Sequence, residues 1–180
     1  MPAITPNIWN FSFQNLLALT AAYAVYEPLT YYLYPKVLSS STIQEYYNPQ
    51  KVPFPIVVSG DYLYSVLLFL VAQQVIGLVF GYSAPLNIVE WLFRFLTFCG
   101  IQWTGDFSWY ILVNSLKPST KYIDFFQRYS KQVGAGALLG DSAYGLGWFT
   151  LMQLFASYVP TWLQVFAVIA FIFGTIVVSY

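Results

Sequence analysis

Apolar residues in this chain come in long runs separated by short polar or proline-bearing breaks, the pattern of hydrophobic helices rather than of strands. The first run, from Phe13 through Tyr26, meets Pro28, which is expected to bend or end the helix because proline removes a backbone donor and clashes with the preceding turn. Tyr31, Tyr32 and Tyr34 then read as an aromatic belt at a membrane interface. From Pro35 to Ser59 the chain is polar, with Ser39 to Thr42, Asn48-Pro49, Pro53 and Pro55, and reads as a water-exposed loop. A second run covers Asp61 to Phe80 and closes at Gly81 and Pro85, placing Asp61 at a helix N-terminus where a carboxylate caps free amides.

Asn87 to Arg94 fits two readings. Glu90 and Arg94 stand at i, i+4 among apolar residues, as in an interfacial helix with an internal ion pair, and the third run is then set from Phe95 to Leu116. Alternatively, residues 87–116 form a re-entrant hairpin. After Pro118, the period of Lys121 to Lys131 predicts an amphipathic surface helix, N-capped by Ser119, with Phe125, Phe126 and Tyr129 on one side and the charges on the other. A fourth run, Val133 to Val159, is separated by Pro160 from a fifth, Trp162 to Tyr180.

Composition sharpens this picture. With 58% hydrophobic, 21% aromatic and only 8% charged residues, the chain is far from the roughly 25% charged residues of soluble domains. The expectation is an all-α polytopic transmembrane bundle of about five spans plus an interfacial helix, forming a single integral membrane domain over residues 1–180. The N-terminus lacks the basic region of a cleaved signal peptide. Five spans put six of the seven basic residues, Lys36, Lys51, Lys117, Lys121, Arg128 and Lys131, on one face and Arg94 on the other. Such asymmetry orients the N-terminus outside or in the lumen and the C-terminus in the cytoplasm. The sequon at Asn10 lies too near the first span to be used.

Charge within the spans is where chemistry is expected. Asp61, Asp106 and Asp141, three of the seven acidic residues, each follow a glycine. Counted from the cytoplasmic ends, Asp106 and Asp141 lie about 15 and 12 Å deep, so they are expected to face one another as a coupled pair. Tyr110 and Tyr144, at i+4 and i+3, are in position to donate to them, with Gln102, Thr104, Ser108 and Ser142 extending the polar set. The leading reading is structural: aspartates as interhelical polar glue, with Gly136, Gly140 and Gly147 thinning a helix for close packing. The alternative is a proton- or cation-coupled transporter or channel using Asp106, Asp141, Tyr110, Tyr144 and Ser142.

An intramembrane aspartyl hydrolase is the remote alternative. Gly140-Asp141 resembles the GxGD intramembrane proteases, but Leu138 replaces the first glycine and no PAL motif is present. No phosphate loop, dinucleotide fingerprint, GxSxG elbow or HExxH occurs, so no catalytic residue is assigned. Without His and with one Cys, no metal site or cofactor is expected. Lys117, Lys121, Arg128 and Lys131 are candidates to meet anionic lipid headgroups. Expected partners are the bilayer, further copies of the chain or other membrane proteins, and not nucleic acid.

Lys121 to Gly134, running into Leu138 to Tyr144, resembles a group of small polytopic membrane proteins of large DNA viruses of algae and protists. That resemblance implies residence in an internal virion membrane or an infected-cell membrane. It brings no activity with it.

Overall fold

A computed structural model describes residues 4–37 and 40–178. The described residues form seven helices and no strand: α1 (Phe13–Val37), α2 (Ser41–Tyr46), α3 (Phe54–Phe80), α4 (Ile88–Ser115), α5 (Lys121–Val133), α6 (Ala135–Tyr158) and α7 (Thr161–Val178). The expected last residues of the fifth run, Ser179 and Tyr180, lie outside the described residues, as do Leu38 and Ser39 of the expected loop.

Several element boundaries differ from expectation, each for a local reason. Pro28 does not end α1, which carries both Pro28 and Pro35 within it. The expected loop holds α2, and α3 starts at Phe54 because Pro53 and Pro55 sit where the first helical turn has no donors to lose. Asp61 is therefore two turns inside α3 rather than at its cap. α4 is one continuous helix from Ile88, neither a late span nor a hairpin. Its start is fixed when Asn87 Oδ1 accepts from the Glu90 amide (3.0 Å) and Glu90 Oε2 accepts from the Leu86 amide (2.9 Å). Arg94 donates to the Ser83 carbonyl at 2.7 Å, so the expected Glu90–Arg94 ion pair is absent. Thr120, not Ser119, caps α5. Gly134, at φ +53°, turns the chain from α5 into α6 through a backbone conformation that glycine adopts without steric cost.

The five long helices alternate in direction and pack in the order α1, α6, α4, α3, α7 and back to α1. Alanines 18, 21, 22 and 24 keep α1 slim where it lies against its neighbours. Between the helices lies an aromatic core of Trp9, Tyr23, Phe69, Phe95, Phe98, Trp148 and Phe149. At one end the N-terminal segment closes the bundle. Trp9 is 1% exposed and packs on Phe69, Trp91 and Phe149, while Asn7 and Asn10 donate to the carbonyl of Tyr82. That bond engages the amide of the Asn10 sequon. At the opposite end α2 and α5 lie together over the helix ends: Phe125 stacks on Tyr46, and Gln132 Oε1 accepts from the Thr42 amide at 3.2 Å.

One helix, α3, is long and apolar enough to cross a membrane by length and composition, and α7 is a shorter apolar helix. α1, α4 and α6 have the length, 25, 28 and 24 residues. They dilute it with tyrosine, glycine and polar side chains.

Candidate functional site

Four acidic residues point into the half of the bundle covered by α2 and α5, and three are held by a tyrosine from another element. Glu27 of α1, only 2% exposed, accepts from Tyr144 Oη of α6 at 2.7 Å. Asp106 of α4 accepts from Tyr64 Oη of α3 at 2.7 Å. Asp61 of α3 accepts from Tyr46 Oη of α2 at 2.7 Å. Asp141 of α6 makes no side-chain hydrogen bond among the described residues, but lies within Coulombic range of Asp106 and Asp61, and Glu27 within range of Asp61. No basic side chain pairs with any of the four among the described residues.

This arrangement rewrites the expected pairings. Tyr110 does not reach Asp106: it is 43% exposed and stacks on Phe107. Tyr144 serves Glu27 rather than Asp141. Asp106 and Asp141 share no hydrogen bond. Ser142 accepts from Trp103 Nε1 (2.9 Å) and donates to the Leu138 carbonyl, tying α4 to α6. Gln102 is buried with its Oε1 unpaired, while Thr104 and Ser108 donate back to their own helix carbonyls.

Glu27 escapes a reading based on glycine–aspartate pairs, because no glycine precedes it and Pro28 follows. Its signal was an acidic residue in an otherwise uncharged run from Phe13 to Pro35. Tyr26, Tyr34 and Trp148 pack around Tyr144 and hold its ring in place.

The glycines divide by what they touch. A methyl group on Gly105 would lie 2.8 Å from Tyr64 Oη and 2.9 Å from Leu68, so the missing side chain is what lets Tyr64 reach Asp106. Gly147 is likewise filled by the Tyr26 ring of α1. Gly136 and Gly140 face open space, with no close helix approach at either among the described residues.

Oxygen atoms without a donor remain in this region: Glu27 Oε1, Asp106 Oδ2 and Tyr31 Oη are buried and unpaired. Among the described residues no three acidic, histidine or cysteine side chains gather to hold a metal ion. At the α2 end, burial and the neighbouring Asp61 carboxylate push the Tyr46 phenol well above its ordinary pKa. It therefore stays protonated, as a donor must, at neutral pH.

On the outer surface, the headgroup candidates separate. Lys121 and Arg128 line a pocket of about 110 Å³ shared with Lys51 and Glu45. Lys117, in the α4–α5 turn, and Lys131, in the last turn of α5, stand apart from it. No protein-family model, curated protein or solved structure matches this chain.

Proposed function

We propose that this chain is a multi-pass membrane protein with a structural or assembly role, whose intramembrane carboxylates hold helices together. In this reading α1, α3, α4, α6 and α7 are the spans and α5 lies on the cytoplasmic surface. The resemblance to viral proteins suggests a virion or infected-cell membrane as its place. The carrying observation is that Glu27, Asp61 and Asp106 each accept from a tyrosine on a different element, so each bond fastens two pieces of the bundle.

Outward rows of large apolar side chains support the membrane placement. Leu63, Leu67 and Leu78 on α3, Phe93, Leu96 and Phe107 on α4, and Phe166, Phe173 and Val177 on α7 are all at least half exposed. Apolar surface on this scale marks contact with lipid or another protein. The alternating helices also put the six basic residues at the α2–α5 end and Arg94 at the other.

A proton or cation pathway is the second reading, favoured by the unpaired buried oxygens of Glu27 and Asp106 and by the line of four acids. One experiment separates the two. The purified chain is reconstituted in liposomes containing a pH-sensitive dye, as wild type and as Glu27→Gln, Asp61→Asn and Asp106→Asn. The structural reading expects no flux above empty liposomes and normal assembly of all three variants, because amides preserve shape and accept the same bonds. Proton flux that disappears in Glu27→Gln would replace it with the pathway.

A further inference from the structure

The pocket outside the bundle is built on a rigid base. Phe125 is 3% exposed and stacks on Tyr46 with ring centroids 5.8 Å apart, which fastens α5 to α2. On that base Arg128 is held by two carboxylates from different elements. Its Nη1 and Nη2 donate to Glu45 at 3.0 and 3.1 Å, and its Nε donates to Asp124 at 3.1 Å. A guanidinium has five N–H donors, so these three bonds leave two free. Lys51, from the turn before α3, and Lys121, from the first turn of α5, complete the rim. Neither forms an ion pair among the described residues.

Charge selects the ligand. Three cations, Lys51, Lys121 and Arg128, against two carboxylates, Glu45 and Asp124, leave the pocket with one net positive charge. The two carboxylates are spent on orienting Arg128, so the remaining side-chain donors are those of the three cations and the Tyr122 hydroxyl. Phosphate oxygens match such donors, and a single negative charge matches the balance.

We propose that this pocket binds a singly charged phosphate ester, with Lys51 and Lys121 neutralising it and the locked Arg128 orienting it. The lipid phosphodiester is the source expected if the membrane placement proposed above is right, since α5 then lies at headgroup level.

The test uses the full chain in detergent micelles and isothermal titration calorimetry. The probes are a short-chain phosphatidylglycerol, its deacylated glycerophosphodiester and inorganic phosphate. Saturable one-site binding of the lipid is expected, weakened about 30-fold in Lys51→Gln/Lys121→Gln if each lysine contributes as basic residues do near anionic headgroups. Lys117→Gln/Lys131→Gln removes the same charge outside the pocket and is expected to stay within about twofold, on the short reach of surface charge in salt. Equal weakening in both double variants, or in neither, overturns the site and leaves only diffuse surface charge. Lipid bound more tightly than its deacylated form identifies the membrane lipid as the source. Inorganic phosphate bound as tightly as the lipid overturns selection of a singly charged ester. A chain that stays monodisperse without detergent sinks the membrane placement, while the comparison of double variants with the soluble diester still decides the pocket.

Discussion

Replacing Tyr144 by Phe removes one hydroxyl from the centre of the bundle and leaves Glu27 almost without donors. The 2.7 Å bond from Tyr144 is the strong contact, whereas Thr30 Oγ1 lies 3.4 Å from the same oxygen and is better placed on the Glu27 carbonyl at 3.0 Å. Glu27 Oε1 is already unpaired. Leaving a buried acceptor unsatisfied costs about 1–3 kcal/mol, and interhelical bonds in bilayers average about 0.6 and reach about 1.7 kcal/mol. A loss of about 1.5 kcal/mol is expected, at the upper end of the bilayer range, because no other good donor is in reach. Glu27→Leu strands the Tyr144 hydroxyl instead and should cost a similar amount. The double variant removes both partners and should return close to wild-type stability, since replacing a buried polar pair by apolar groups is often nearly neutral. Unfolding in mixed micelles followed by tryptophan fluorescence gives the three free energies. Single losses that simply add in the double variant would refute the pairing.

Gly105→Ala should destabilise by about 1–3 kcal/mol through overpacking against Tyr64 and Leu68, whereas Gly140→Ala, facing open space, should be neutral or slightly stabilising by helix propensity; the same unfolding assay compares them. Trp9→Ala should cost about 3–5 kcal/mol, the range for emptying a buried aromatic site, because the ring is packed on Phe69, Trp91 and Phe149. The Arg128 hydrogen bonds hold the Glu45 carboxyl below its ordinary pKa. Its contribution is therefore present above about pH 4.3, the unfolded value, and is lost as pH falls through the lower folded value. Hydrogen exchange in α2 should rise in that acidic window, and Arg128→Gln should remove the transition. In a chain with Cys99 replaced, cysteines at Ser83 and Lys131 should label from opposite sides of the membrane; labelling from one side would reject five spans.

Helix identity was legible in the sequence wherever apolar runs met clear punctuation. Pro160 divides α6 from α7, and the amphipathic period of residues 121–131 found α5 to within a turn. The misplaced boundaries trace to local helix signals that compete with one another, and the misassigned partners to tertiary packing that short-range rules do not contain. Pro28 is expected to bend or end the first helix, and α1 carries on past it with Glu27 buried. Asp61 was read as a cap, although Pro53 and Pro55 are themselves good helix starters. The partners of the carboxylates were sought one turn away, and the structure supplies them from residues 42 and 117 positions distant along the chain. No local periodicity contains that information. The motif at Gly105-Asp106 was meaningful for a reason the sequence does not display, namely the room it makes for Tyr64.

The closure of the bundle by residues 4–12 sets an order of events during synthesis. Gln153 donates to the Pro6 carbonyl, and Ser157 to that of Thr5, across 147 and 152 residues, while the Ile4 amide waits for Pro85. A segment made before every helix it docks on is thus among the last to find its seat, because its docking surface is finished only when the end of α6 has been made. Until then Trp9 is without its Phe149 contact. A nascent chain halted before residue 149 should leave the N-terminal segment open to protease, and one released after residue 158 should protect it.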